Sequence, residues 1–199
     1  MTDKILLNEE EYKVNESDLP SLVTYGEHSG GSHYTITMVA QLFLQGSKIL
    51  FLTAYPMAKD NFLKQVGDDH SNIAFVNSVD DFEKAKNTQC IMLESGNEVL
   101  FTEALKVLPD LKDRVILIKN IEKFSMSVFE KSLDLEKIIL SGHLDECVAK
   151  NEIIKKSFST TVIFTKTEID LGIKVPELPK WSGFFTSIDK NGITKIINP

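Results

Sequence analysis

This sequence of 199 residues contains little of what marks several specialised classes of protein. Its two cysteines, Cys90 and Cys147, are too few for a disulfide framework, so we expect a reducing, cytoplasmic environment. It has no apolar run long enough to span a bilayer, and residues 1–4 lack the basic and then apolar pattern of a signal peptide. Insertion into a membrane is therefore not expected.

Positive charge is also scarce, since the formal net charge is −7 at pH 7. This balance argues against a broad basic surface, so we do not expect nucleic acid as a partner unless one basic loop binds it. The sequence has no low-complexity tract, internal repeat or linker rich in proline and glycine. We predict one domain over residues 21–199, preceded by a solvated, acidic lead-in over residues 1–20 that contains Glu9, Glu10 and Glu11.

The sequence does contain a regular alternation of short aliphatic or β-branched runs with segments of helical periodicity. The predicted strands are 22–25, 48–54, 72–76, 90–93, 114–119, 138–140 and 160–165. The predicted helices are 33–44, 58–66, 80–85, 97–107 and 125–135. Because strands that alternate with helices form right-handed βαβ units, we predict a three-layer α/β/α fold with a mainly parallel sheet.

The C-terminal segment has a different pattern. Two runs, 181–188 and 193–197, flank Asp189–Gly192, which contains the Asn-Gly pair that is the strongest short signal for a hairpin. We predict an antiparallel β-hairpin over residues 181–198 at the edge of the sheet. Trp181, at its start, either packs the hairpin onto the domain or contacts a partner.

A glycine-rich segment, residues 26–33, lies between the first predicted strand and the first predicted helix. Gly26 and Gly31 have the spacing of the phosphate-binding pattern G-x-x-x-x-G-K-[ST], but Ser32 stands at the lysine position and His33 at the hydroxyl position. A loop in this place directs backbone N–H groups and the positive end of a helix toward an anion. The alternative is a tight turn that needs glycine only for its backbone conformation.

With these neighbours, the sequence resembles P-loop NTPases of the RecA/KaiC-like kind. Tyr25–His33 is similar to their loop T-G-E-x-G-S-G-K-T, and residues 45–53 are similar to the strand that follows their first helix. Val115–Ile118 resembles their Walker B strand, although Lys119 stands where the family has Asp. Thr160–Lys166 is similar to a later strand that ends in a polar sensor residue. The resemblance implies a RecA-like P-loop fold.

The departures from that family concern catalysis. Phosphoryl transfer depends on a lysine, a magnesium ion and positioned polar groups. Ser32 brings no positive charge, His33 is a poor ligand for magnesium, and Lys119 puts a cation where the family has a carboxylate. We therefore expect no catalytic residues and no metal site.

Three functions are compatible with these features. The leading hypothesis is a catalytically inactive pseudo-ATPase that works as a binding or assembly module, through a protein partner or by homo- or hetero-oligomerisation. One alternative is an ATP-binding protein with weak or unconventional ATPase activity. The other is a RecA-like module that binds nucleic acid.

If the phosphate site is retained, its ligand is ATP or another phosphate-bearing molecule bound without a well-formed magnesium site. The candidate binding residues are Gly26, Ser29, Gly30, Gly31, Ser32, His33 and Lys119. His33 and Lys119 could face one pocket and neutralise an anion together. Alternatively, Lys119 pairs with a neighbouring carboxylate of Glu27, Glu94 or Glu122.

No metal site is predicted elsewhere. His143 and Cys147 lie four residues apart, which would place them on one face of a helix. A structural zinc site usually needs four ligands, and the sequence offers no second pair. His28 has no partner in the sequence pattern.

Overall fold

A computed structural model describes residues 3–164 and 171–197. The strands are β1 (Lys4–Leu7), β2 (Glu10–Tyr12), β3 (Ser21–Thr24), β4 (Lys48–Thr53), β5 (Ile73–Val76), β6 (Cys90–Leu93), β7 (Arg114–Lys119), β8 (Ile138–Gly142), β9 (Thr160–Ile163), β10 (Ser182–Ser187) and β11 (Asn191–Ile197). The helices are α1 (Gly31–Leu44), α2 (Pro56–Val66), α3 (Phe82–Ala85), α4 (Glu98–Val107), α5 (Met126–Ser132) and α6 (Lys150–Lys155). No helix of the described residues has both the length and the apolar composition needed to cross a bilayer.

These strands form one sheet in the order β2-β1-β11-β10-β9-β3-β8-β7-β4-β6-β5. The strands from β9 to β5 pair in parallel, which confirms the predicted, mainly parallel sheet. Each predicted strand over residues 22–163 is present within a few residues of its expected bounds. The end of the last one, at Thr165, lies outside the described residues.

Two hydrophobic cores lie on the two faces of the sheet. Successive residues of β4 alternate between them: Ile49 and Phe51 pack in one core, and Leu50 and Leu52 in the other. Side chains of α1 and α2 complete the first core, and those of α3, α4, α5 and α6 complete the second. Because both faces are covered, the strands are apolar on both sides, and the domain has the three layers that the alternation predicts.

The antiparallel part of the sheet differs from expectation in its extent. The hairpin of β10 and β11 is antiparallel, as predicted, but it does not form the edge, because β1 pairs with β11 and β2 pairs with β1. The first 20 residues are therefore not simply a solvated lead-in. Ile5 is fully buried, although the side chains of Glu9, Glu10 and Glu11 are exposed.

The Asn-Gly pair also has a different place from the one predicted. Asn191 and Gly192 begin β11, so they lie after the turn. The turn ends at Lys190, whose carbonyl accepts the Ser187 N–H at 2.8 Å. A Cβ at Gly192 would overlap the side chain of Asn8, whose Nδ2 donates to the Asn191 carbonyl at 3.2 Å. Gly192 thus leaves room for the side chain of Asn8, which lies between β1 and β2, and it does not form the turn.

The sheet order brings three loops together at one edge. β8 lies between β3 and β7, and these three strands are parallel. Since parallel strands end at the same edge, the glycine-rich loop after β3 meets the residues that follow β7 and β8. In open α/β sheets this is the edge at which ligands bind.

Candidate functional site

The glycine-rich loop leads from β3 directly into the N-terminus of α1. His28 has φ 54° and Gly30 has φ 92°, so the loop turns twice through the left-handed region. The Ser29 hydroxyl donates to the Gly26 carbonyl at 2.9 Å. No side chain of the residues that the structure describes caps α1, so the first-turn N–H groups that lack partners within the helix remain directed at the loop.

Gly31 is required by a close approach of Tyr25. A Cβ at Gly31 would overlap the Tyr25 side chain, lying 2.6 Å from its Cδ1, so only glycine fits here. The Tyr25 ring is buried and meets the ring of His143 edge to face, with 5.5 Å between the ring centroids. Tyr25 therefore forms the inner wall of the loop.

Lys119, at the end of β7, is bound to that same tyrosine. Its side chain is buried, with the residue only 2% exposed, and its Nζ donates to Tyr25 Oη at 3.0 Å. Burial lowers the pKa of Lys119 to about 8, although the charge of Glu122 opposes the shift. Of Glu27, Glu94 and Glu122, it is thus Glu122 whose charge acts on Lys119. One oxygen of the Glu122 carboxylate accepts the backbone N–H of His143 at 3.0 Å.

The Tyr25 hydroxyl is the centre of a small polar network. Burial, the largest cause, raises the pKa of Tyr25 to about 12, and the charge of Glu122 acts in the same direction. Hydrogen bonds from Ser141 and Ser32 act in the opposite direction. Ser141 is in turn 2.6 Å from the hydroxyl of Thr35 on α1. The tyrosine therefore stays protonated at neutral pH and links β7, β8 and the loop.

A cavity of about 460 Å³ lies over the loop. It is lined by Tyr25, Gly26, Glu27, His28, Ser29, Gly30, Ser32, His33, Asn61, Asn120 and His143. Five of the seven predicted binding residues are in this lining. The other two are Gly31, which lies under Tyr25, and Lys119, which contacts the far end of that ring and does not line the cavity.

His33 lines the cavity but has a carboxylate partner. Its Nε2 is 2.6 Å from Asp3 Oδ2, a residue of the N-terminal segment. The expectation that His33 and Lys119 face one pocket together is therefore not met, because Lys119 is directed at Tyr25. A phosphate over the loop would instead meet backbone N–H groups, the Ser32 hydroxyl and imidazole rings.

The residues present do not fit a magnesium ion. Magnesium prefers hard oxygen ligands. By the resemblance to P-loop NTPases, His33 stands at the position of a hydroxyl and Lys119 at the position of a carboxylate. The carboxylate that lines the cavity is that of Glu27, an exposed residue of the loop. Within residues 3–164 and 171–197, no three His, Cys, Asp or Glu side chains are grouped to hold a metal ion.

Asn120 is a cavity residue that the sequence analysis missed. It follows Lys119 directly, has φ 66° and is 8% exposed. The Thr53 hydroxyl donates to its Oδ1 at 3.1 Å, while its Nδ2 has no acceptor within the described residues. Asn120 therefore offers an amide donor to the cavity, which suits an anion rather than a cation.

Five further lining residues were not among the candidates. Three of them, Tyr25, Glu27 and His28, lie between β3 and α1, Asn61 lies on α2, and His143 follows β8. The rule that ligands bind beyond the carboxyl ends of parallel strands would have indicated Asn120 and His143. His143 does not act with Cys147, whose thiol donates to the Ile121 carbonyl at 3.5 Å.

Comparison with known proteins identifies similar structures but no similar sequence. No protein-family model matches the chain, and no curated protein sequence matches it. The structure of EssC (ATPases 2 and 3) from Geobacillus thermodenitrificans superposes with a TM-score of 0.62 at 11% identity, covering 98% of this chain and 40% of that chain. This chain therefore spans less than half of the EssC structure.

A second similar structure is the genome packaging NTPase B204 from Sulfolobus turreted icosahedral virus 2, in complex with AMPPCP. It has a TM-score of 0.58 and 13% identity, and the alignment covers 94% of this chain and all of the viral one. Both neighbours are P-loop ATPases, so the likeness supports a P-loop NTPase fold for this chain.

Proposed function

We propose that this chain, with its P-loop NTPase fold, binds a nucleoside phosphate without hydrolysing it and serves as a binding or assembly module. The observation that carries the proposal is the state of Lys119. Lys119 is buried and hydrogen-bonded to Tyr25, and the lysine position of the loop itself is occupied by Ser32. The described residues that line the cavity thus include donors for phosphate oxygens but no lysine for the outer phosphates.

Two findings support a nucleotide as the ligand. The cavity combines the N-terminus of α1 with the amide donor of Asn120, and neither has a side-chain partner among the residues that the structure describes. The viral neighbour, of equal fold, was determined with AMPPCP bound. The partner is either another protein or a further copy of this chain.

Calorimetry with ATP tests this proposal in EDTA and again in magnesium. We expect the same affinity in both conditions, because no residue of the cavity provides a magnesium site, and no release of phosphate above that of buffer. An affinity that depends strictly on magnesium, or turnover of ATP, would support the alternative of an unconventional ATPase. Light scattering with and without ATP then measures assembly.

Asn120→Asp is the sharpest variant for the same assay. It retains an acceptor for Thr53 but replaces the amide donor by a carboxylate, so ATP affinity should fall about 10-fold, which corresponds to about 1.4 kcal/mol. Asn151→Asp makes the same charge change at an exposed position on α6 and should leave the affinity unchanged. Equal effects of the two variants would contradict a phosphate site beside Asn120.

A further inference from the structure

The feature that the proposed function leaves unexplained is Trp181, the one tryptophan of the chain. It precedes β10 and is 52% exposed. Its backbone is in the left-handed region, with φ 63°, a conformation that bulky residues rarely adopt. The surrounding structure therefore holds a large aromatic ring half in solvent.

Trp181 borders the glycine-rich loop. Its Cε3 and its carbonyl oxygen both lie 3.8 Å from the point that a Cβ of Gly30 would occupy, and Gly30 lines the cavity. Phe164 lies at the same distance from that point and packs edge to face on Tyr34 of α1, with 5.2 Å between centroids. The indole is thus fixed against the part of the loop that precedes the helix.

A cation accompanies the ring. Lys180 Nζ is 5.3 Å from the centroid of the Trp181 ring. A half-exposed aromatic ring with a neighbouring cation suits a nucleotide, because every base can stack on an aromatic ring and a cation attracts the phosphates. Packing of the hairpin alone would not require the ring to remain half exposed beside the cavity.

We propose that Trp181 is the platform on which the base of a nucleoside phosphate stacks while its phosphates occupy the cavity over the loop. This inference rests on the proposed function and extends it, because it names the residue that contacts the base of the nucleoside phosphate. Stacking is tolerant of base identity, so ATP and GTP should bind with similar affinity.

Two ligands separate this inference from the proposed function. ATP and inorganic tripolyphosphate are each titrated by calorimetry in EDTA, and the fluorescence of the single tryptophan is followed in parallel. ATP should bind and quench that fluorescence saturably, whereas tripolyphosphate should bind without quenching. If tripolyphosphate and ATP both bind with equal affinity and neither quenches, the base platform is wrong and the phosphate site stands. If neither ligand binds, the proposed function itself is wrong.

Two variants complete the test. Trp181→Leu should lower the affinity for ATP between about 5- and 100-fold and leave that for tripolyphosphate unchanged. Trp181→Phe keeps an aromatic face and should recover most of the affinity for ATP. Both variants retain a side chain with a Cβ at this backbone position. Equal melting temperatures would show that both variants are folded. An ATP affinity that Trp181→Leu leaves intact would overturn the assignment.

Discussion

Strand β7 begins and ends with a buried cation, and the two are held in very different ways. Arg114, at its start, is fully buried and donates to Asp110 Oδ1 at 2.9 Å and to four backbone carbonyls. Lys119, at its end, is almost as buried, but the structure gives its ammonium one hydrogen bond within the described residues, to the neutral hydroxyl of Tyr25.

The difference between these two cations distinguishes a structural group from one at a binding site. A buried charge is tolerated when hydrogen bonds and an opposite charge compensate its loss of water. Arg114 meets that condition at the edge of the sheet away from the cavity. For Lys119 the loss of water is compensated only in part, and burial therefore lowers its pKa. The burial of Lys119 is therefore less well compensated than that of Arg114.

Removing the satisfied cation should have the largest effect. Arg114→Met leaves Asp110 and several carbonyls without their buried donor, so the free energy of unfolding should fall by roughly 3–5 kcal/mol. Urea denaturation measures this change. Lys48→Met is the matched control, because Lys48 bonds the same carboxylate at 2.7 Å from an exposed position and should cost less than about 1 kcal/mol. Equal losses in the two variants would contradict a special role for burial.

Removing the unsatisfied cation should change the pH dependence of stability. Between pH 8 and pH 10 the folded protein has lost a proton from Lys119 that the unfolded chain still binds, so the free energy of unfolding of the parent should rise with pH. The gain relative to Lys119→Met should be about 2 kcal/mol between pH 7 and pH 10. Tyr25 stays protonated over most of this range, because its pKa is about 12.

Urea denaturation across this pH range, on the parent and the variant, measures that difference. Lys112→Met, at an exposed position, is the control and should follow the parent at each pH. Parallel curves for the parent and Lys119→Met would show that the ammonium is not penalised by burial.

Removing the hydroxyl that Lys119 contacts should have the smallest effect of the three. Tyr25→Phe deletes one acceptor and should cost about 1 kcal/mol at pH 7. It should also move the pH-dependent rise in stability to lower pH, because the ammonium then has less compensation. Tyr55→Phe, at a half-exposed position, should change neither quantity. A rise that begins at the same pH in Tyr25→Phe and in the parent would break the link between the two residues.

Much of the fold could be predicted from the sequence, because strands such as β4 and β7 are covered on both faces and are apolar between their two end residues. β2 could not, since its residues Glu10 and Glu11 are exposed at an edge and show no apolar pattern. The same holds for the Asn-Gly pair, whose local signal indicates a turn while Asn8, from the other end of the chain, determines where it lies.

The candidate site could be predicted only where it is local. The glycine-rich loop is one continuous segment, so its position between β3 and α1 is encoded by its neighbours. Asn120 and His143 reach it because β8 and β7 follow β3 in the sheet, an order that depends on long-range pairing. The direction of Lys119 depends on Tyr25, and no spacing rule connects residues 94 positions apart.

The pairing of β1 with β11 has a consequence for how the chain reaches this structure. Residues Lys4–Leu7 come early in the described sequence, and Thr194–Ile197, with which they pair, come last. During synthesis, nearly the whole domain is therefore translated before β11, the strand with which Ile5 pairs, is available. Contacts between such distant segments form slowly, so we expect the sheet to form from its parallel centre outward, with β1 and β11 pairing in the final step.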